Sequence, residues 1–410
     1  MKKSILTIAL ALIAFALQAQ PPQHGDGQPP HHQQQHGQPP HGGQPPHGDS
    51  ANIRGLMGPL FKRIQIHGYI QGGYEWNNKL GKQTNEFNLK RSNVVALAQI
   101  TDRWFFFFLH DFNSEVQEFY TDFRLTRGKG MSIRFGQTKT PLSLENPYSP
   151  DQLELIDVTS QATTFFAGTY DPLYSDKVMY GRDLGIMLHG ELFNSHFKYQ
   201  LGLFNGQGIN TKDKNNKKDA ILNLEVAPIP NLRFVASGQI GKGCAADYHI
   251  SDKFVSPYNQ AITPGEDYDR NRYTFGFEYK TFPTPRIVDW KHRPFAIRSE
   301  VMGGKDGDVD ALGAYATTVI PLFSTVDFVA SYDFMNYNTK EDYKSTKYVA
   351  GLQYWFYSNC RIQLQYTRGV LENMTAGEPT IIPNQFGPPT IIPSLQPDYD
   401  MIQLQLQVGF

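Results

Sequence analysis

Apolar and polar residues alternate along the end of the chain, from Asp400 to Phe410. Successive side chains of a β-strand point to opposite faces, so this alternation predicts a strand with one polar and one apolar face. The polar face carries Gln403, Gln405 and Gln407, and the apolar face carries Ile402, Leu404, Leu406, Val408 and Phe410. An apolar outer face, a glutamine inner face and an aromatic last residue are typical of the closing strand of a transmembrane barrel.

The same period of two recurs from about residue 63 onward, in segments of roughly ten residues separated by turn residues. We count sixteen segments, an even number that lets an antiparallel sheet close without a free edge. The sequence therefore predicts an all-β fold, a 16-stranded antiparallel transmembrane β-barrel over residues 61–410. The predicted strands are 63–76, 86–100, 103–113, 116–126, 130–138, 182–193, 196–206, 218–226, 231–240, 270–281, 292–303, 309–320, 324–336, 344–357, 360–371 and 400–410.

The connections between these strands sort by length. If the first strand runs outward from the periplasm, all the long connections lie outside and the periplasmic turns are short, as in bacterial outer-membrane barrels. None of the 27 prolines falls in the interior of a predicted strand, and Pro294 lies near the start of one. Proline cannot donate to a sheet, so this placement supports the assignment. The long connections are 139–181, 207–217, 241–269 and 372–398.

Two segments depart from the alternation. Residues 104–109 are apolar on both faces, and residues 311–320 have no clear polar side. Either segment could contact a neighbouring subunit or a loop folded into the barrel.

Cys244 is predicted in an outer loop and Cys360 at a periplasmic turn, so the thickness of the membrane should keep them from forming a disulfide.

The first sixty residues are of a different kind. Lys2 and Lys3 precede an apolar run, which predicts a secretory signal peptide over residues 1–19. Residues 20–60 are rich in His, Pro, Gln and Gly, and this composition predicts a disordered periplasmic arm. Two interpretations of the arm stay open, a plain linker or a promiscuous site for divalent metal. The candidate metal ligands are His31, His32, His36 and His41.

Charge and motifs exclude several classes of function. A net charge of −1 indicates no nucleic-acid partner. No motif for an activated nucleophile stands out, so we expect neither an enzyme nor a cofactor.

Three stretches resemble the phosphate-selective porin family, the porins O and P. They are residues 134–145 (RFGQTKTPLSLE), 181–190 (GRDLGIMLHG) and 199–228, which begins YQLGLFNGQG. The resemblance covers roughly residues 60–410. It implies a trimeric 16-stranded porin of the Gram-negative outer membrane, in which the long third outer loop folds into the lumen and narrows it. The strand assignment places the longest connection, residues 139–181, at this position.

The predicted inward positions carry equal numbers of basic and acidic residues. A mixed wall orients permeants without excluding either sign. We therefore expect passive diffusion of small hydrophilic solutes with weak ion preference, while anion or phosphate preference stays open if the basic residues cluster at one height. The basic positions are Arg63, Arg124, Arg134, Lys198, Arg233, Arg272, Lys280, Arg298 and Arg361, and the acidic ones are Glu75, Asp111, Glu118, Asp122, Glu225, Glu278, Glu300, Asp327 and Asp333.

The candidate pore-lining residues flank or lie within the long third loop. Each flanking cation could contact permeants or could tie loop acids to the wall. An alternative function is an adhesin or assembly anchor whose His-rich arm binds metal. The expected partners are outer-membrane lipid, small solutes or anions, and two further copies of the chain. The candidate pore-lining residues are Lys139, Lys177, Arg182, Arg134, Arg124, Glu145 and Asp171.

Overall fold

The computed structural model describes residues 63–79, 83–167, 181–244, 266–281, 293–373 and 398–410, and the backbone of 380–382 and 390–392. The predicted signal peptide and arm, with the candidate ligands His31, His32, His36 and His41, lie outside the described residues. Within these ranges no helix is both long enough and apolar enough to cross a membrane.

Sixteen antiparallel strands of the described chain close into one barrel. Each strand pairs with its sequence neighbours, except at the seam, where β1 pairs with β18 and β18 pairs with β15. A short hairpin, β16 (Thr380–Ile382) and β17 (Thr390–Ile392), forms a separate sheet, and helix α1 spans Gln161–Phe166. The barrel strands are β1 Ile64–Asn77, β2 Thr84–Thr101, β3 Trp104–Asp111, β4 Val116–Arg124, β5 Ser132–Lys139, β6 Arg182–Leu192, β7 Phe197–Phe204, β8 Asp219–Ile229, β9 Leu232–Cys244, β10 Asp267–Lys280, β11 Ala296–Asp306, β12 Val309–Phe323, β13 Val326–Asn336, β14 Lys344–Tyr357, β15 Cys360–Glu372 and β18 Asp398–Gly409.

The predicted barrel is confirmed, and each of the sixteen predicted strands overlaps one observed strand. The two ends of the chain meet at the seam, with the register running from Tyr69↔Gly409 to Asn77↔Met401. This pairing gives the first strand its second neighbour, so the sheet has no free edge.

The prediction that no proline lies inside a strand is wrong in two places. Pro228 lies in β8 and Pro321 in β12, because both strands run a few residues further than their alternation indicated. Both prolines lie at register shifts, between Val226 and Ile229 and between Pro321 and Phe323. Pro228 has no partner in the register, and Pro321 borders the unpaired Leu322; a proline is tolerated at such a bulge.

The two faces of the sheet are as the alternation predicts. In β18, Gln405 is 2% exposed and Gln407 is fully buried, whereas Leu406 is 47% exposed on the outer face. Phe410 also faces outward and is 70% exposed. An apolar outer surface is what a barrel needs in order to lie in hydrocarbon.

The inward side of β12 explains why its sequence lacks a polar face. Val309 and Ala311 pack against Phe165 and Phe166 of α1, and Val319 packs against Leu155. Residues 311–320 were predicted to contact either a neighbouring subunit or a loop folded into the barrel, and the structure shows the contact with the loop.

The two cysteines lie at different strand ends. Cys244 is the last residue of β9 and Cys360 is the first residue of β15, and both side chains are buried.

The close approach of β1 to β18 makes Gly73 a test of the seam. A Cβ added to Gly73 would lie 1.8 Å from the carbonyl oxygen of Leu404, so the backbone would have to shift. We expect Gly73→Ala to lower the free energy of unfolding in detergent micelles by about 1–3 kcal/mol, the usual cost of overpacking. The matched control is Gly128→Ala, because its added Cβ would meet nothing within 4 Å. Equal stability of the two variants would contradict the β1–β18 register.

Candidate functional site

The residues that follow β5 lie against the inner wall of the barrel. We call residues 140–167 the inner segment. Its carbonyl groups accept hydrogen bonds from inward-facing side chains of distant strands, including Gln71 to Pro150 at 3.4 Å and Arg361 to Leu153 at 2.7 Å. Hydrogen bonds between side chains of the segment and of the wall extend the contact from β10 through β18 to β2. On β2, Lys90 donates to Asp157 at 3.4 Å.

Helix α1 forms the apolar contact between the inner segment and the wall. Ser160 caps the helix by accepting a hydrogen bond from the Thr163 amide. The helix then buries Phe165 and Phe166 against Met302 and Met335 of β11 and β13. These contacts remove large apolar side chains from the aqueous interior, which favours the docked position of the segment.

The carboxylate of Glu300 on β11 anchors the start of the inner segment. One of its oxygens accepts the Leu144 amide at 2.9 Å, and the other accepts the Ser143 hydroxyl at 2.8 Å. Ser143 has a φ of 79°, a conformation uncommon for a residue with a side chain. Its hydroxyl also accepts the amide of Glu145 at 3.0 Å, so local hydrogen bonds hold this turn against the wall.

Arg298 lies at the centre of the charges between the segment and the wall. Its Nη2 lies 2.5 Å from Glu154 and 3.5 Å from Glu145, and its Nη1 lies 3.5 Å from Glu278. Two of these carboxylates belong to the inner segment and one to β10. A buried arginine shared among carboxylates in this way fixes their relative positions, because removal of any partner leaves an uncompensated charge.

Tyr148 of the inner segment contacts charged residues of β9 and β10. Its hydroxyl donates to Glu278 at 2.7 Å and accepts from Arg233 at 2.5 Å. Its ring centre lies 5.2 Å from Arg233, 5.4 Å from Lys280 and 5.2 Å from Arg298, within the range of cation–π attraction. Tyr148 is not among the residues predicted from the sequence, because an aromatic residue in a loop gives no sign of charges that lie far away in the sequence.

The predicted flanking cations contact the protein itself. Lys139 donates to the carbonyl oxygens of Asn146, at 2.8 Å, and Tyr148. Arg182 is buried and pairs with Glu118 at 3.2 Å. In these contacts Lys139 ties the loop backbone to the wall, and Arg182 pairs with a wall carboxylate.

The other predicted site residues fall into three groups. Arg134 pairs with Asp122 at 3.0 Å, and Arg124 lies over the ring of Phe105 at 5.4 Å. Glu145 is completely buried and accepts the Ser160 amide at 2.8 Å. Lys177 and Asp171 lie outside the described residues.

Ion pairing is the rule among the predicted inward-facing cations. Among the described residues, six of the nine form an ion pair, and Arg361 binds neutral acceptors, the side chains of Gln353 and Gln407 and the carbonyl of Leu153. Each paired cation therefore has a carboxylate close to it on the same wall or on the inner segment. The six are Arg134, Lys198, Arg233, Arg272, Lys280 and Arg298.

The sequence matches the model of one protein family. The sequence model of the family described as phosphate-selective porin O and P matches residues 64–274, which run from β1 into β10. No curated protein matches the chain.

Several solved structures share the fold. An anion-selective porin from Comamonas acidovorans has a TM-score of 0.54 and 12% identity, over 85% of this chain and 99% of that chain. The outer membrane channel DcaP of Acinetobacter baumannii has a TM-score of 0.52 and 10% identity, over 84% and 97%. OmpT of Vibrio cholerae, in its trimer form, has a TM-score of 0.51 and 13% identity, over 84% and 99%.

The anchor at Glu145 should make docking of the inner segment depend on pH. Burial raises the pKa of this carboxyl to about 7 from its ordinary value of 4.5, and the opposing attraction of Arg298, 3.5 Å away, is the smaller effect. A raised pKa means that the docked state holds a proton which the undocked state releases, so docking weakens as pH rises from 4.5 to about 7.

We expect the hydrogen-exchange protection of the Ser160 amide, corrected for the intrinsic rate, to fall by about tenfold or more between about pH 5 and pH 8. In Glu145→Gln the fall in protection over this pH range should be clearly smaller. The same pH dependence in both proteins would show that Glu145 is not the titrating anchor.

Proposed function

The chain belongs to the phosphate-selective porin O and P family, and on that premise we propose an outer-membrane porin through which small hydrophilic solutes and ions diffuse passively. A 16-stranded barrel is wide enough for an aqueous channel. The inner segment then narrows the lumen from one side, and the remaining passage is lined by the partly exposed inward residues of β3 to β9. Selectivity would be set by the charges along that passage.

The observation that carries this proposal is the pairing of opposite charges inside the barrel. Lys198 pairs with Glu225 at 2.7 Å, and Glu225 also accepts Arg233 at 2.9 Å. Arg233 and Lys280 both contact Glu278, at 3.1 Å and 3.3 Å. Basic residues do cluster on neighbouring strands, but carboxylates lie between them, so the field of the wall is largely compensated.

A modest preference for anions is supported by the exposure of these same groups. The Lys198 side chain is 40% exposed, and its partner Glu225 is 13% exposed. The Lys280 side chain is 26% exposed, and Glu278 is 6% exposed. The cations therefore project toward the passage while the carboxylates lie behind them. The similar porin from Comamonas acidovorans is named anion-selective, which is consistent with this direction.

Several further assignments are part of the proposal. Residues 1–19 are a secretory signal peptide, and residues 20–60 are a periplasmic arm. The barrel works as a homotrimer in a Gram-negative outer membrane, which the trimer form of the similar OmpT of Vibrio cholerae supports. The second candidate function, an adhesin or assembly anchor with a metal-binding arm, would need a barrel that passes no current.

Ion preference is tested by the reversal potential of the reconstituted protein in a potassium chloride gradient. We expect a chloride-to-potassium permeability ratio above one and below about ten, because most wall charges are compensated. Lys198→Gln should lower the ratio, and Glu225→Gln should raise it. A ratio far above ten would favour a dedicated anion channel, and a ratio below one would contradict the proposed direction.

A further inference from the structure

The inward side of β3 is unusual for a wall that faces water. The register pairs Phe105 with Asp122 and Phe107 with Tyr120, and Asp122 faces inward because it pairs with Arg134. Both phenylalanine rings therefore point into the lumen, and both are partly exposed. Inward positions of a porin are normally polar, so two aromatic rings in this place need an explanation.

The contrast with β12 is informative. The apolar inward side of β12 is covered by α1 and neighbouring residues of the inner segment. The rings of β3 instead contact side chains of β4. Phe107 stacks on Tyr120 with ring centres 4.9 Å apart and planes at 11°, and Arg124 lies 5.4 Å from the centre of the Phe105 ring.

The stack continues onto β5. Arg134 lies 4.1 Å from the centre of the Tyr120 ring, and all the members are only partly buried. Phe105, Phe107, Tyr120, Arg124 and Arg134 thus form one surface across three strands, which we call the aromatic–arginine patch. Partly exposed apolar surface inside an aqueous passage is a feature of ligand-binding grooves.

The charge of the patch indicates the sign of its ligand. Asp122 is compensated by Arg134 at 3.0 Å, and the Nε2 atom of His189 lies 2.8 Å from the same carboxylate. Within the described part of the chain, Arg124 makes no ion pair, so its guanidinium leaves the patch with an uncompensated positive charge beside the rings. This charge is complementary to a carboxylate, which a guanidinium can bind through two parallel hydrogen bonds.

We propose that the aromatic–arginine patch binds permeants that carry an aromatic ring and a carboxylate, and so sets a preference for aromatic acids within the proposed porin function on which this inference rests. The ring stacks against Phe105 and Phe107, and the carboxylate meets Arg124. A small inorganic oxyanion would pair with Arg124 but would not stack on the rings. A neutral aromatic solute would stack on the rings but would form no ion pair with Arg124.

Three probes separate these contributions in single-channel recordings of the full chain in potassium chloride. Benzoate has a ring and a charge, cyclohexanecarboxylate has similar size and the same charge but no aromatic face, and acetate has the charge alone. An aromatic pair is worth about 0.5–1.5 kcal/mol beyond its buried area. We therefore expect benzoate to block the current at a concentration about threefold to tenfold lower than cyclohexanecarboxylate, with acetate weaker than both.

Variants locate the effect. The double variant Phe105→Leu/Phe107→Leu keeps two apolar side chains but loses both rings, so the preference for benzoate over cyclohexanecarboxylate should fall toward one. Arg124→Gln should weaken both carboxylates and leave their ratio unchanged. The matched control is Phe106→Leu on the outer face of the same strand, where Phe106 contacts Phe119, and its block should equal that of the unaltered protein.

Each outcome decides the inference. Equal block by benzoate and cyclohexanecarboxylate in the unaltered protein overturns it, even if the variants fail to assemble. An undiminished benzoate preference in Phe105→Leu/Phe107→Leu also overturns it. A chain that conducts no potassium chloride would overturn the proposed function and this inference with it, whereas a conducting chain without ring discrimination overturns this inference alone.

Discussion

The structure depends on one constraint, the pairing of every barrel strand on both edges. Backbone amides and carbonyls in hydrocarbon have no water to bond with, so a sheet that spans a membrane has to close on itself. The β1–β18 seam completes the closure, with β18 held between β1 and β15. Closure then fixes the side-chain directions, because each strand has one face toward lipid and one toward the interior.

The interior that results is polar, and its polar side chains hold the inner segment. The glutamines that give β18 its alternation contact both the neighbouring strands and the segment. Gln407 donates to the carbonyl of Asp151 at 3.2 Å, and Gln403 donates to Asp157 at 2.8 Å. On β11, Arg298 and Glu300 bind the segment through charge. The polar half of the strand pattern therefore positions the inner segment against the wall.

The strands could be predicted from sequence because a period of two is a local signal. The observed strands agree with the predicted ones, although their ends differ by a few residues. The partners of the inner segment could not be predicted in this way. Glu154 and Arg298 are 144 residues apart, and Ile156 and Gln365 are 209 apart, so no local pattern relates them. Equal numbers of inward acids and bases were visible in the sequence, whereas their pairing needed the register. The apolar faces of β3 and β12 were also visible, and only the structure shows that α1 covers the second.

The most direct test is a single-channel recording of the full chain beside a variant in which a short glycine linker replaces residues 147–158 of the inner segment. If the barrel is a water-filled tube that the segment narrows, both proteins give stepwise currents and the variant gives the larger step, by about twofold or more. A full chain that gives no steps, or a variant whose step is unchanged, would contradict this account.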